Sequence, residues 1–338
     1  MSIPSLKLTK ETVGPIARGH PWVYEDGIHE RPPVGTVVRL VDHRNKTVAF
    51  GLMDEGPIAV RVLGRFPVDL STLLRARFQT ALQERSALLP PNTTAYRLIN
   101  GAGDGLPGLV ADRYGPVIIL RLYGKCWAPH LESIAMAAGS LDGIETVARR
   151  FGVRRVDGKE GIATLQGTET PKHLVVLEGG LKFLVRPHVG QKTGLFLDHR
   201  DHRILVGRTC RGASLVNLFG YTGGFSVHAA AGGADEVTTV DIAPDAIEDA
   251  KENFRLNSIP VDKHRFVVAD AFKWKPDFQP SYLICDPPSL SHGRSSDRNA
   301  ANAYKDLAED CGRMVMAGGL LATASCTARL NQTSWERA

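Results

Sequence analysis

The sequence predicts an α/β protein in which a parallel sheet with helices on both faces follows a small all-β module and an α+β middle segment. Residues 1–65 carry short β-branched runs between prolines and glycines, which is typical of small β modules. From residue 214 on, short apolar runs alternate with helical stretches, which is typical of a parallel sheet. The predicted domains are 1–68, 69–180 and 181–338.

The composition indicates a long globular chain. Its 338 residues are 43% hydrophobic and 23% charged, with a formal net charge of +5, and these values exclude disordered and collagen-like proteins. The five cysteines show no spacing typical of zinc sites, so we expect reduced thiols in a cytoplasmic protein and no metal site. We expect four of them to be buried and structural: Cys126, Cys210, Cys285 and Cys311. No signal segment and no run of 18 apolar residues occur, so no membrane span is expected.

The middle segment combines one helix with strand pairs. Residues 71–89 carry apolar side chains at helical spacing, and Ser71 is the expected N-cap. Residues 108–122 predict two strands around a Tyr-Gly-Pro turn, and residues 173–185 predict two more around Gly179 and Gly180.

A basic stretch follows the middle segment. Residues 182–211 contain seven Lys and Arg residues against two Asp residues. Such a cluster binds phosphates in some proteins and is a solvated surface with scattered ion pairs in others, and the sequence leaves both interpretations open.

The last segment contains five predicted strands, in the runs SLVNLF, EVTTVDI, RFVVAD, YLICDPP and LLATASC. We expect helices after GYTGGF, from Pro244, and near residues 300–316. In parallel sheets of this kind the ligand lies over the carboxyl ends of the strands. The residues at those ends are therefore the candidate site.

A glycine-rich loop follows the first of these strands. It contains Gly220, Gly223 and Gly224, and Asp241 ends the second strand 17 residues later. Glycines allow close backbone approach to a ligand, and a carboxylate at this place accepts hydrogen bonds from ribose hydroxyls. The order GxxGG differs from GxGxxG, and no Lys-Ser or Lys-Thr follows, so a nucleoside cofactor without a phosphate is favoured.

Three further strand ends carry polar side chains. Asp270 ends the third strand and is expected to accept a hydrogen bond from an adenine amino group. Asp286 precedes two prolines, which lack amide hydrogens and make the backbone rigid. Cys326 follows the fifth strand, and we expect it at the same edge as Asp286 because consecutive strands should be neighbours. This position favours a chemical role for the Cys326 thiol.

The strings QKTGLFLDHRDHR, YTGGFSVHAAAGGA, VDIAPDAI, CDPPSL and SCTAR occur in this order. In this combination the chain resembles the family of S-adenosylmethionine (SAM)-dependent ribosomal RNA methyltransferases with an amino-terminal PUA domain. Members of that family include the large-subunit cytosine-5 methyltransferase. The resemblance implies a Rossmann-like class I methyltransferase domain after a PUA-like domain, with SAM as the cofactor and ribosomal RNA as the partner. Whether the chain forms a homodimer is left open.

The resemblance also implies roles for individual residues. The implied cofactor contacts are Phe219, Tyr221, Gly223, Asp241 and Asp270. Further candidate cofactor contacts are Gly220, Thr222, Gly224, Ile242, Ala271, Asp286, Thr193 and Asp198. The candidate RNA contacts are Arg18, Arg186, Lys192 and Arg200. For Lys192 and Arg200, contact with the cofactor or a phosphate and solvated ion pairing with Asp198 both stay open.

Formation of 5-methylcytosine is the activity that the resemblance implies, with Cys326 as nucleophile and Asp286 holding the pyrimidine edge. Other cytosine-5 RNA methyltransferases place a second cysteine directly after the DPP-like motif, where this chain has Ser289. The group that assists product release is therefore unassigned. Two alternatives stay open: methylation of a guanine nitrogen in ribosomal RNA, and an inactive relative that only binds RNA.

Methyltransferases of this fold normally continue past the fifth strand with a helix and an antiparallel two-strand ending. The last eight residues, NQTSWERA, are long enough only to begin such a helix. We therefore expect the chain to be truncated and its last domain to be incomplete.

Overall fold

The computed structural model describes residues 3–67, 69–156, 159–290 and 297–326. The chain forms two compact units. Unit 1 comprises residues 1–178 and 185–197, and unit 2 comprises residues 179–184 and 198–338. The division into three consecutive domains stays a prediction. The end of the SCTAR string and the NQTSWERA segment lie outside the described residues.

The first part of unit 1 is a five-stranded sheet with one helix. Ile16 on this helix is 2% exposed, and burial of its side chain explains a helix that contains Gly14 and Pro15 and that the sequence did not predict. The strand order is β1-β3-β4-β5-β2. Its elements are β1 (Ser5–Lys7), α1 (Lys10–Ala17), β2 (Trp22–Tyr24), β3 (Val37–Val41), β4 (Thr47–Met53) and β5 (Ile58–Gly64).

The second part of unit 1 is a five-stranded sheet packed by two helices. The strand order is β10-β9-β8-β7-β6, and the β7–β8 pair is the hairpin predicted around the Tyr-Gly-Pro turn. Helix α3 connects β8 to β9. Among the described strands of this sheet, β8 and β9 form the only parallel pair. The elements are α2 (Leu70–Leu88), β6 (Ala95–Asn100), β7 (Leu109–Tyr114), β8 (Val117–Leu122), α3 (Leu131–Gly139), β9 (Thr146–Val156), β10 (Lys159–Gly167) and β11 (Leu174–Glu178).

Helix α2 begins one residue earlier than predicted, and its N-cap is Asp69. The Asp69 carboxylate accepts a hydrogen bond from the Thr72 amide at 2.9 Å. Ser71 lies inside the first turn, and its hydroxyl donates to the same carboxylate. The prediction of Ser71 as N-cap was therefore wrong, because an ionised carboxylate two residues earlier accepts from the free amide of the first turn.

Unit 2 contains the predicted parallel sheet. The strand order is β15-β14-β13-β16-β17, and the four pairs are all parallel. The elements from residue 181 on are β12 (Leu181–Val185), α4 (Arg200–Thr209), β13 (Ser214–Leu218), α5 (Gly224–Ala231), β14 (Glu236–Asp241), α6 (Pro244–Leu256), β15 (Arg265–Val268), β16 (Tyr282–Cys285), α7 (Asp297–Met314) and β17 (Leu320–Thr323).

Successive residues of β13 pack against helices on opposite faces of this sheet. Leu215 joins a core with Val206 of α4, whereas Val216 joins a core with Met314 of α7. Helices therefore cover both faces, and the predicted α/β class is confirmed. The expectation that consecutive strands are neighbours fails once, because β16 pairs with β13 rather than with β15. The strand order therefore reverses at β13: β14 and β15 lie on one side of it, and β16 and β17 lie on the other. Such a reversal places a crevice at the carboxyl end of the strand.

Burial of the cysteines follows the prediction. Cys126, Cys210, Cys285 and Cys311 are buried, and Cys326 is exposed. Within the described ranges, no helix is long and apolar enough to cross a membrane. The same residues contain no group of three or more His, Cys, Asp or Glu side chains arranged to hold a metal ion.

Candidate functional site

The loop after β13 turns tightly at the place where the strand order reverses. Phe219, Tyr221 and Gly223 have φ angles of 57°, 47° and 75°, all in the left-handed region. The Gly220 amide donates to the Val240 carbonyl of the neighbouring strand at 2.9 Å. Helix α5 begins directly afterwards, at Gly224. The loop is therefore held by the sheet on one side and by a helix amino terminus on the other.

The glycines of this loop are required by protein packing. A Cβ atom on Gly220 would lie 2.7 Å from Thr239 Cγ2, and one on Gly223 would lie 2.9 Å from Ala250 Cβ. The sequence-based reason, close approach of a ligand, is therefore incomplete, because neighbouring protein atoms already exclude a side chain at both positions.

Asp241 organises the backbone around the crevice. Its carboxylate accepts hydrogen bonds from the Tyr221 amide at 2.8 Å and from the Ala243 amide at 2.9 Å. The next side chain, Ile242, is 69% exposed. A carboxylate oxygen that accepts one amide retains a second lone pair, so Asp241 is still able to accept hydrogen bonds from hydroxyl groups.

A second carboxylate and two aromatic rings lie at the end of β15. The Asp270 carboxylate accepts a hydrogen bond from the Phe272 amide at 3.1 Å, and Ala271 is buried. The Phe272 ring packs edge-on against Phe219 at 4.8 Å between centroids and is 44% exposed. Sequence reasoning missed Phe272. The sequence signal that could have found Phe272 is an aromatic residue two positions after Asp270, the polar end of a predicted parallel strand.

These residues fit a nucleoside cofactor. The exposed side chains of Ile242 and Phe272 provide apolar surface for a planar base. The carboxylates of Asp241 and Asp270 supply hydrogen-bond acceptors for hydroxyl and amino groups. Thr222 is buried, and among the described residues its hydroxyl has no hydrogen-bond partner.

The ends of β16 and β17 lie side by side. The Ala324 amide donates to the Cys285 carbonyl at 3.0 Å, which extends the pairing of the two strands by one bond. Asp286 follows Cys285, and Cys326 lies two residues after Ala324 with its side chain exposed. The prediction that β16 and β17 are neighbours is therefore confirmed, and both candidate catalytic residues follow these adjacent strands.

A cavity of about 430 Å³ opens beside these strand ends. Its lining includes the aromatic ring of Phe225 and two histidines that sequence reasoning left without a role. His199 Nε2 lies 3.6 Å from Asp286 Oδ2. Its lining combines polar, aromatic and aliphatic side chains. The lining residues are His199, His202, Leu205, Val206, Phe225, Tyr282, Ile284, Cys285, Asp286, Ala322, Thr323, Ala324 and Ser325.

Cys285, unlike Cys326, is buried. It is 2% exposed, and a hydrogen bond with the Cys311 thiol, together with burial, raises its pKa far above the ordinary value. The attacking species of a cysteine is the thiolate, so Cys285 is unsuited to nucleophilic chemistry.

Thr193 lies in unit 1. It is fully buried, and its hydroxyl is 2.7 Å from an Asp112 oxygen and 2.8 Å from the Tyr114 hydroxyl. Burial also raises the pKa of Tyr114, which keeps the phenol neutral. The Thr193 side chain is thus hydrogen-bonded within the core of unit 1, and its role as a cofactor contact stays a prediction. Asp198 is exposed and belongs to unit 2.

The four predicted RNA contacts are divided between the two units. Arg18, Arg186 and Lys192 belong to unit 1, and Arg200 belongs to unit 2. Arg18 and Lys192 are exposed, whereas Arg186 is half-buried and lies 2.6 Å from a ring nitrogen of His173. Their role toward RNA stays a prediction.

Two protein families match the chain. Residues 122–330 match the S-adenosylmethionine-dependent methyltransferase family, and residues 6–65 match the PUA-like domain. Both parts of the resemblance, and SAM as cofactor, are thereby confirmed.

Similar proteins match over nearly the whole chain. A ribosomal RNA large subunit methyltransferase of Deinococcus radiodurans is 37% identical, with 98% of this chain and 87% of that protein covered. Ribosomal RNA large subunit methyltransferase I of Salmonella enteritidis is 31% identical, with coverage of 99% and 87%. A solved SAM-dependent methyltransferase structure from Streptococcus mutans has a TM-score of 0.82 at 24% identity, with coverage of 99% and 89%, and shows the same fold.

The fold, the crevice at the reversal point of the sheet and these matches agree with one another. The chain belongs to the family of S-adenosylmethionine-dependent methyltransferases and carries a PUA-like domain near its amino terminus.

Proposed function

We propose that this protein methylates carbon 5 of a cytosine in large-subunit ribosomal RNA through a covalent cysteine adduct. The observation that carries the proposal is the exposed Cys326 thiol after β17, which pairs with β16, the strand that directly precedes Asp286. The names of the two relatives support large-subunit ribosomal RNA as the substrate. The bacterial relatives also support a cytoplasmic location, where such RNA is found.

The cofactor is proposed to lie in the crevice formed by the loop from Phe219 to Gly224. Asp241 would accept hydrogen bonds from the ribose, and Asp270 would accept one from the adenine amino group. Ile242 and Phe272 would contact the faces of the base, since both are exposed there. When bound, SAM supplies an electrophilic methyl group next to the substrate.

Carbon 5 of cytosine is too weak a nucleophile to accept a methyl group unaided. Addition of the Cys326 thiolate to carbon 6 converts the ring into an enamine, whose carbon 5 is nucleophilic. Loss of the carbon-5 proton after methyl transfer then expels the thiolate. Asp286 would hold the polar edge of the ring, and the cavity beside it has room for a base that is flipped out or single-stranded.

The test is covalent trapping on RNA that contains 5-fluorocytosine. Fluorine at carbon 5 cannot leave as a proton, so wild-type protein with SAM should form a stable protein–RNA adduct that is visible on a denaturing gel. Cys326→Ala should form none, and the matched variant Cys285→Ala should retain trapping because Cys285 is buried with a raised pKa.

The same experiment separates the open alternatives. Methyl transfer to a guanine nitrogen would proceed without an adduct and would tolerate Cys326→Ala, because nitrogen is already nucleophilic. An inactive RNA-binding relative would give neither adduct nor methyl transfer. Persistence of 5-methylcytosine formation in Cys326→Ala would overturn the assignment of the nucleophile.

A further inference from the structure

His199 is a titratable side chain that the structure places against Asp286. Its Nε2 atom lies 3.6 Å from Asp286 Oδ2, and the two side chains are 24% and 28% exposed. Both line the cavity that also reaches Thr323 and Ser325. His199 thus lies where the polar edge of a substrate ring would meet Asp286, and the proposed chemistry has so far given it no role.

Neighbouring side chains hold the imidazole in place. His199 occupies the N-cap position of α4, and its Nδ1 atom lies 3.2 Å from Nδ1 of His202, one turn along the helix. The Phe225 ring lies 5.8 Å away between centroids. The contacts with His202 and Phe225 therefore hold the His199 imidazole in the orientation that points its Nε2 atom toward Asp286.

Charged groups of both signs lie around His199. The Asp286 carboxylate attracts an imidazolium, whereas the amino terminus of α4 repels it. The nearby Arg200 guanidinium is paired with Asp201 at 2.9 Å.

The proposed reaction needs a proton that a carboxylate alone does not carry. When the Cys326 thiolate adds to carbon 6, an electron pair moves through the ring to N3, which must take up a proton. An ionised carboxylate accepts hydrogen bonds but has no proton to give, whereas an imidazolium has one.

We propose that His199 is a positioning residue that acts through Asp286: it orients the carboxylate and supplies, through it, the proton taken up by N3 of the target cytosine. The inference rests on the proposed function. As the carbon–sulfur bond forms at carbon 6, the proton moves from His199 through Asp286 to N3. After methyl transfer the carbon-5 proton passes to water, the carbon–sulfur bond breaks, and N3 returns its proton through Asp286 to His199. The net change is replacement of the carbon-5 hydrogen by methyl.

A double-mutant cycle tests this relay. His199→Gln preserves a hydrogen-bond donor of similar size but cannot transfer a proton. With 5-fluorocytosine RNA we expect it to slow adduct formation by about 10²-fold or more, with RNA and cofactor affinities within about twofold of wild type. Asp286→Asn should slow the step at least as much, and adding His199→Gln to it should cost no more than about a further twofold.

The pH profile gives a second readout. Wild-type adduct formation should slow at alkaline pH as the imidazolium is lost, and this limb should be absent in His199→Gln, where the rate follows thiol ionisation alone. His43→Gln, at an exposed histidine in the turn between β3 and β4, is the control and should match wild type. His199→Asn provides a second variant if His199→Gln does not fold.

If the rate losses of the two single variants add up in the double variant, His199 does not act through Asp286. The same follows if adduct formation by His199→Gln still slows at alkaline pH. Either result would overturn this inference and leave the proposed function standing. Weaker RNA binding with an unchanged rate would assign His199 to base contact and overturn it as well. If wild-type protein traps no adduct and leaves cytosine unmethylated, the proposed function fails, and the relay fails with it.

Discussion

The backbone amide of Tyr221 donates a hydrogen bond to the side-chain carboxylate of Asp241 at 2.8 Å. This bond joins the loop after β13 to the end of β14. The Asp241 carboxylate therefore has two functions in the proposed site: it accepts from the ribose, and it holds the backbone of Tyr221 in the left-handed conformation that the loop requires.

Asp241→Asn should weaken binding of SAM and of its demethylated product. The amide retains one acceptor oxygen but places an NH₂ group where the second oxygen accepts a hydrogen bond. We expect a loss of roughly 2 to 4 kcal/mol in binding free energy, measured by isothermal titration calorimetry. The control is Asp262→Asn, at an exposed residue of unit 2, which should bind as wild type does. Unchanged affinity in Asp241→Asn would remove Asp241 from the cofactor site.

Gly223→Ala should destabilise unit 2. The residue has a φ of 75°, and the new Cβ atom would lie 2.9 Å from Ala250 Cβ. Left-handed strain and overpacking together should cost about 1 to 3 kcal/mol in the free energy of unfolding. Gly103→Ala is the matched control, because a Cβ atom there meets open space and its φ is not in the left-handed region. Equal unfolding midpoints for the two variants would contradict this account.

Acidification should destabilise unit 2 through His264. Its Nδ1 atom accepts a hydrogen bond from the Val237 amide at 3.1 Å, and burial lowers its pKa from the ordinary value of 6.5. Because the folded state disfavours protonation, this stability is present above pH 6.5 and is lost as the pH falls below it. We expect a loss of about 0.5 to 1.5 kcal/mol, the net value of one hydrogen bond.

Urea unfolding of wild type and His264→Asn at a series of pH values measures this contribution. Asparagine offers an acceptor to the Val237 amide but does not titrate, so the variant should lose less stability on acidification than wild type does. His43→Asn, at an exposed histidine, should behave as wild type. An identical pH dependence in wild type and His264→Asn would show that His264 does not contribute.

Lys192→Glu should reduce the salt dependence of RNA binding. If Lys192 contacts one phosphate, wild-type affinity should fall with salt, and the variant should lower the slope of log affinity against log salt by about 0.7 to 0.9. The measurement is fluorescence anisotropy with labelled large-subunit ribosomal RNA fragments over a salt series. Lys305→Glu, on an exposed part of α7, is the control. A slope that Lys192→Glu leaves unchanged would place Lys192 outside the RNA contact.

Much of unit 2 was predictable because its strands are short apolar runs that end in polar residues. This pattern predicted polar residues at the ends of three strands: in the structure Asp241 ends β14, and Asp270 and Asp286 follow β15 and β16 within two residues. The helix at Lys10–Ala17 was missed because its glycine and proline oppose helix formation, and packing of Ile16 and Val13 on the core supports it in the folded protein.

The amino-acid sequence by itself determined the α/β class, the order of the strand ends and the cysteine to be tested, because apolar periodicity and polar strand ends are local properties of the chain. Only the tertiary structure decided that β16 pairs with β13, that Thr193 is committed to the core of unit 1, and that His199 faces Asp286. These three facts join residues that lie far apart along the chain. Side-chain packing between such residues depends on the full three-dimensional arrangement, which no local pattern encodes.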